Sequence, residues 1–111
     1  MRIIRALSIQ QPFAELILVG KKKFEYRSIP TKIRERVYVY APKKSVPEAV
    51  WKKNGYDPGS LPTGVLVGSV IIADCKSRQG DYAWKLARPK RARRMLKPKS
   101  RPQPVWFRPF P

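Results

Sequence analysis

Apolar residues fall into short runs separated by glycine and proline, and the first two runs predict a strand followed by a helix. Residues 2–9 have a mostly apolar centre, as a buried strand does. Between Pro12 and Gly20 every position is apolar except Glu15. Proline suits the first turn of a helix and glycine suits its end, so we expect a short helix here, buried on most sides against a sheet.

Four later segments complete the predicted strands. Residues 24–27 and 36–41 alternate in polarity, and residues 65–74 form the longest apolar run. Gly68 within that run predicts a bulge or a sharp bend, which lets a small sheet curl towards a barrel. Residues 105–107 predict a short edge strand.

The remaining pattern predicts a second helix and an irregular end. Residues 46–54 form this helix, with Pro47 at its start and Gly55 after its end. From about residue 87 the chain is basic and rich in proline, which rules out a long helix. We therefore expect an α+β fold class with about five or six strands, two or three short helices and a sheet that curls towards a barrel, in a single domain of residues 1–111.

The charge balance is strongly positive, with 25 Lys and Arg against 7 Asp and Glu and a formal net charge of +18. Within residues 76–101 the one acid is Asp81. Such an excess repels itself in a folded chain, and an anionic ligand relieves the repulsion. We expect RNA as the partner, with DNA as a second candidate, because no basic amphipathic helix of the membrane-binding kind is evident.

Cysteine and histidine usage narrows the chemistry. Cys75 is the single cysteine and there is no histidine, which excludes an internal disulfide and zinc sites of the Cys/His type. We expect no metal and no cofactor. No apolar run approaches a membrane span, and Pro12 interrupts the first run too early for a secretory signal. The expected location is the cytoplasm, or the nucleus in a eukaryote, and the expected state is a monomer without membrane contact.

A lone carboxylate lies among cations directly after the first helix. Strand alternation places Lys23, Glu25 and Arg27 on one face, and Phe24 and Tyr26 on the other. We expect the aromatic side chains to point inwards while the charged ones meet a groove. The alternative is a surface row of ion pairs worth about 0–1 kcal/mol each.

Two sets of donors complete this candidate site. Glu25 between Lys22 and Arg27 is held in a fixed orientation, and the unused N–H groups of the cations can bind a phosphate. Gln10 and Gln11 lie where the first helix begins, where they can read a base edge, hold a phosphate or cap the helix.

Five basic residues of the C-terminal segment are dense enough to follow a phosphate backbone. They are Arg88, Lys90, Arg91, Arg93 and Arg94, and Lys97, Lys99 and Arg101 continue the basic run. The alternative for them is a merely solvated basic flank. Trp84 and Trp106 can stack on bases or fill the core, and the small size of the domain favours the core.

The spacing Gly20-x-Lys22-x-x-Glu25-x-Arg27, preceded by residues 7–17, resembles the ASCH family, whose hallmark has the form Gly-x-Lys-x-x-Glu-x-Arg. All four hallmark positions are filled. The resemblance implies a β-barrel related to the PUA fold. It also implies an RNA-binding cleft beside the first helix, lined by Lys22, Glu25 and Arg27.

The resemblance covers most of the chain, to about residue 86, and it also bears on activity. Some family members look like amidohydrolases that act on acetylated cytidine, and others look like ribonucleases. In the amidohydrolase branch a threonine nucleophile stands at the position of Glu25, which has no hydroxyl. The alternative function is therefore a metal-free hydrolase of modified nucleosides or RNA, with Lys22 and Glu25 as catalytic residues.

Our preferred interpretation is an RNA-binding module that recognises a nucleotide in this cleft and uses its basic end for further phosphate contacts. A third interpretation is a basic accessory protein of a nucleoprotein assembly, in which only the charge matters.

Overall fold

The structure, a computed structural model, describes residues 2–111; residue 1, which the single-domain prediction includes, lies outside the described part. The elements follow one another as β1 (Ala6–Ser8), α1 (Phe13–Leu18), β2 (Phe24–Arg27), β3 (Arg36–Ala41), α2 (Glu48–Lys53), β4 (Val65–Arg78), β5 (Asp81–Leu96) and β6 (Trp106–Phe107). No helix within residues 2–111 has the length and apolar character needed to cross a bilayer.

The strands form one mixed sheet in the order β2-β5-β4-β3-β1-β6. β1 pairs with β3 in parallel, and the other ladders are antiparallel. The sheet curls enough for Arg27 on β2 to donate a hydrogen bond of 2.8 Å to the Ser8 carbonyl oxygen on β1. The predicted α+β class is confirmed. The closed barrel stays a prediction, because the strand pairing between described residues leaves β2 and β6 as the edges of the sheet.

The predicted elements are present, several with different ends. The strands predicted at residues 24–27 and 36–41 are confirmed as β2 and β3. The strand predicted at residues 2–9 is shorter, because Ala6–Ser8 is the part that lies between β3 and β6 while Ile4 is exposed. Both helices are shorter than predicted, at six residues each.

The long β4–β5 hairpin departs most from the prediction. β4 continues beyond its predicted end at Asp74, and β5 carries the basic segment as a strand, although the prolines predicted irregular structure. Pro89 is tolerated because the register shifts there, and Arg88 has a φ of 50° between the paired residues Ala87 and Lys90. A proline at a bulge costs no ladder hydrogen bond.

The core lies between α1 and the inner face of the sheet. Ile17 of α1 and Leu7 of β1 are at most 1% exposed. Trp84 is fully buried, and its indole N–H donates to the Ile29 carbonyl oxygen at 3.1 Å. Its ring stacks on that of Trp106 with centres 5.7 Å apart. Both tryptophans therefore fill the core, as predicted, instead of facing a ligand.

Gly68 marks a bend at which two elements approach the backbone of β4. The register of β4 shifts beside it against both β3 and β5, which confirms the predicted bulge. A Cβ atom at this position would lie 2.6 Å from Leu18 Cδ2 of α1 and against the Lys90 carbonyl oxygen of β5. Glycine therefore allows α1 and β5 to come this close.

Gly68→Ala should lower the free energy of unfolding by about 1–3 kcal/mol, because the added methyl group overpacks a site closed by backbone. Urea unfolding followed by circular dichroism measures the change. Ala73→Ser, at an exposed position of the same strand, is the control and should shift stability by less than about 0.5 kcal/mol. Equal unfolding midpoints for Gly68→Ala and the parent would contradict the close approach.

Candidate functional site

A cleft of about 710 Å³ opens beside the start of α1 and has four walls, one of which is formed by Tyr40, Pro42 and Lys44 at the end of β3. The β1–α1 junction contributes Ser8, Gln10 and Phe13. β2 contributes the second wall, and residues 102–105 near the C-terminus form the third. Elements distant in the chain therefore meet at the segment that the hallmark motif occupies.

Glu25 is held by cations on both of its oxygen atoms. Oε2 accepts hydrogen bonds from Nε and Nη2 of Arg27 at 3.0 and 2.7 Å, and Oε1 lies 3.4 Å from Nζ of Lys22. The Glu25 side chain is 12% exposed, so water screens these charges less than at an open surface. A carboxylate has about four acceptor positions. These three contacts leave one position, on Oε1, for a ligand donor.

Arg27 is itself fixed by the sheet. Besides binding Glu25, its Nη2 donates to the Ser8 carbonyl oxygen at 2.8 Å. Its guanidinium carbon lies 5.7 Å from the centre of the buried Trp84 ring, within the range of a cation–π contact. These contacts use Nε and Nη2, so Nη1 is the part of the fork left to bind a ligand.

β2 presents its two faces differently from the prediction. Glu25 and Arg27 meet the cleft, as expected, but Phe24 and Tyr26 are 39% and 46% exposed. The prediction that these aromatics point inwards is therefore wrong. The reason is that Glu25 pairs with Trp84 of β5, so Glu25 and Arg27 lie on the inner face of β2. The Arg27 guanidinium already occupies the space over the Trp84 ring, and the aromatic side chains lie on the opposite face.

Lys22 lies between the cleft and a second, smaller hollow. Its Nζ is 5.3 Å from the centre of the Tyr26 ring and 5.7 Å from that of Phe13, so aromatic faces hold the ammonium group on the cleft side. Lys22 also borders a hollow of about 230 Å³ together with Lys23 and Arg88. The structure thus places Lys23 and Arg88 beside this hollow and not in the cleft.

The two glutamines have different environments. Gln11 is 1% exposed; its Oε1 accepts from the Glu15 backbone N–H at 3.0 Å, and its Nε2 donates to the Pro62 carbonyl oxygen at 3.0 Å. It satisfies a free N–H at the start of α1, which is the capping alternative, and its amide has no free end for a ligand. Gln10 lines the cleft, and its Nε2 donates to the Lys44 carbonyl oxygen at 3.2 Å.

The basic residues of β5 lie outside the cleft, on the exposed surface of the hairpin. Arg88, Lys90, Arg93 and Arg94 are exposed. Arg91 is also exposed, but its Nη1 and Nη2 each donate to Glu15 at 2.8 Å, and this bonding raises its pKa further above the usual value. Four of the five predicted phosphate contacts are thus open to a ligand, whereas Arg91 is committed to α1.

The C-terminal wall was not predicted from the sequence. The Ser8 hydroxyl donates to the Gln103 carbonyl oxygen at 2.7 Å, and the Ser8 backbone N–H donates to the Val105 carbonyl oxygen at 2.9 Å. Val105 has a φ of 67°, a conformation that costs a β-branched residue about 1–3 kcal/mol. The only signal in the sequence is the Pro102-x-Pro104 spacing, which favours an extended chain but names no partner.

Tyr40 of β3 borders the cleft, and its ring packs edge-on against that of Phe107 with centres 5.3 Å apart. Burial raises the pKa of this phenol above its usual value, so the hydroxyl stays protonated at neutral pH and can donate a hydrogen bond. Among residues 2–111 no three carboxylate or thiol side chains meet as a set of metal ligands.

Comparison with known proteins supports the family resemblance that the hallmark motif indicates. Residues 7–101 match the family described as ASCH domain, so the likeness extends past residue 86 and includes the basic strand. The chain is also 34% identical over 84 residues to Activating signal cointegrator 1 of Homo sapiens. The match covers 66% of this chain and 14% of that protein, so it spans a small part of that relative's length. The chain belongs to the ASCH domain family, a group of PUA-like modules often linked to RNA binding.

Proposed function

We propose that this domain binds RNA and accommodates one nucleotide in the cleft lined by Lys22, Glu25 and Arg27. The observation that supports this most strongly is the orientation of Glu25, whose carboxylate is fixed by two cations and keeps one acceptor position free. Family membership favours RNA as the ligand class. The net charge of +18 favours a polyanion of either kind, so DNA is the competitor to be tested.

The contacts in the cleft divide between base and phosphate recognition. Glu25 accepts a hydrogen bond from an amino group of the base, as carboxylates do from cytosine N4. Nη1 of Arg27 and the ammonium group of Lys22 donate to the phosphate, which fixes the position of the nucleotide. Phe13 supplies an aromatic wall at the rim. A fixed set of donors and acceptors discriminates well because a mismatched base leaves a desolvated group unpaired.

The exposed cations of β5 supply affinity that does not depend on sequence. Arg88, Lys90, Arg93 and Arg94 follow one strand outside the cleft, where a phosphate backbone can pass along them. Each phosphate contact releases counterions from the nucleic acid, so this part of the binding weakens as salt rises.

Catalytic roles for Lys22 and Glu25 stay a prediction. Both oxygen atoms of Glu25 are in contact with cations, an arrangement better suited to holding a ligand than to transferring a proton. The parent protein and Lys22→Ala can be tested for turnover of acetylated cytidine and of short RNAs. Turnover by the parent that is abolished in Lys22→Ala would show that the protein is a hydrolase and would overturn the binding proposal.

Glu25→Gln should reduce the preference for cytidine over uridine monophosphate by about tenfold, because the carboxylate acceptor is weakened. Lys22→Ala should weaken the binding of both nucleotides by about tenfold, because a charged donor to the phosphate is removed. Isothermal titration calorimetry measures both effects. Glu35→Gln is the control for the carboxylate, since Glu35 pairs with Arg5 at 3.1 Å outside the cleft. Unchanged preference in Glu25→Gln, with the fold intact, would overturn the pocket.

Binding of single-stranded RNA should depend steeply on salt, with a log–log slope near −4 for about six phosphate contacts. Changing Arg88, Lys90, Arg93 and Arg94 to glutamine should make the slope shallower by about 0.7 for each phosphate that the protein no longer neutralises. Point changes are needed because removing residues 88–111 would also delete part of β5 and one wall of the cleft.

The control for this experiment carries the same change of charge elsewhere. It converts four exposed cations, Arg2, Lys32, Lys52 and Lys53, to glutamine. Fluorescence anisotropy at several salt concentrations gives the slopes. Equal slopes for the two quadruple variants would show that β5 makes no phosphate contacts of its own.

A further inference from the structure

The outer face of β2 carries two exposed aromatic rings that stand away from the core. Phe24 is 39% exposed and Tyr26 is 46% exposed. Their rings are nearly parallel, at 17°, with centres 6.4 Å apart. Phe24 does not line the cleft, whereas Tyr26 borders it. Neighbouring exposed aromatic rings on an edge strand form a candidate interaction surface.

A third flat group extends this aromatic pair. The guanidinium carbon of Arg78 lies 4.1 Å from the centre of the Tyr26 ring. Asp81 holds the guanidinium there through a 2.8 Å ion pair from Nε. Aromatic rings and guanidinium planes are the two kinds of side chain on which unpaired bases stack.

Lysines flank the rings on the neighbouring strands. Lys85 of β5 pairs directly with Phe24 across the ladder, and Lys76 of β4 lies one strand further, opposite the residue that pairs with Tyr26. The Lys76 side chain is 81% exposed, with Asp74 as an ion-pair partner at 4.0 Å. The rings therefore have lysines on the two neighbouring strands, on a chain with a large positive charge.

We propose that this outer face, formed by Phe24, Tyr26, Arg78, Lys76 and Lys85, is a second contact surface for single-stranded RNA. Bases stack on the row of flat groups and phosphates lie against the two lysines. Because Tyr26 belongs to both surfaces, one RNA molecule can extend from the cleft directly onto the outer face. The inference rests on the proposed function for its ligand class, but not on a nucleotide occupying the cleft. Duplex RNA does not use this face, since its bases are already stacked and paired.

Phe24→Ala tests the outer face without touching the cleft. It should weaken the binding of a single-stranded RNA of about ten nucleotides by about fivefold or more, because the stacking of a base on the ring is lost. Binding of mononucleotides and of duplex RNA should stay unchanged. Val19→Ala is the control, because Val19 is a similarly exposed apolar side chain, at 46%, beyond the end of α1. Fluorescence anisotropy measures the oligonucleotides and calorimetry the mononucleotides.

Phe24→Leu separates stacking from apolar contact and should lose most of the same affinity. Unchanged single-strand affinity in both Phe24 variants overturns the proposal, and so does an equal loss for duplex RNA. If Phe24→Ala instead abolishes binding of an extended acidic peptide and leaves RNA unaffected, the face is a peptide site and the proposal is wrong. If mononucleotides fail to bind the parent while Phe24→Ala still weakens the single strand, the cleft proposal fails and the outer face stands.

Discussion

The guanidinium of Arg27 connects the core of the domain to its cleft. It rests on the buried ring of Trp84, donates to the Ser8 carbonyl oxygen of β1 and fixes Oε2 of Glu25. Loss of this one side chain would leave a mostly buried carboxylate short of hydrogen-bond donors and a strand carbonyl without its partner, both of which are costly. Recognition and stability are therefore coupled at β2, and a lysine, which lacks the planar fork, would not restore all three contacts.

The long β4–β5 hairpin explains how a small sheet carries so much positive charge. Gly68 lets α1 and β5 approach β4, and a bulge at Arg88 accommodates Pro89 within the strand. The exposed cations are then spread along β5 outside the cleft, while Arg91 is tied to α1 through Glu15. In this arrangement a ligand can be selected in one place and held electrostatically in another.

Local patterns in the sequence determined much of this fold. β2 and β3, the bulge at Gly68 and the cation cage of Glu25 all follow from periodicity, glycine or spacing within a few residues. The errors arose where distant partners decide the outcome. The side of β2 on which Phe24 lies depends on what fills the space over Trp84. The C-terminal wall of the cleft depends on hydrogen bonds to Ser8. The proline-containing strand was missed because Pro89 lies at a bulge where no ladder hydrogen bond is lost, and no glycine marks that bulge in the sequence.

The most direct test of the account is an NMR titration of the ¹⁵N-labelled domain with cytidine monophosphate at moderate salt. Binding in the cleft predicts saturable shifts for the amides of Lys22, Glu25, Arg27 and Ser8, with little change along residues 88–94. Shifts confined to those basic residues, and reduced in proportion by added salt, would show an electrostatic surface without a nucleotide site and would contradict the central claim.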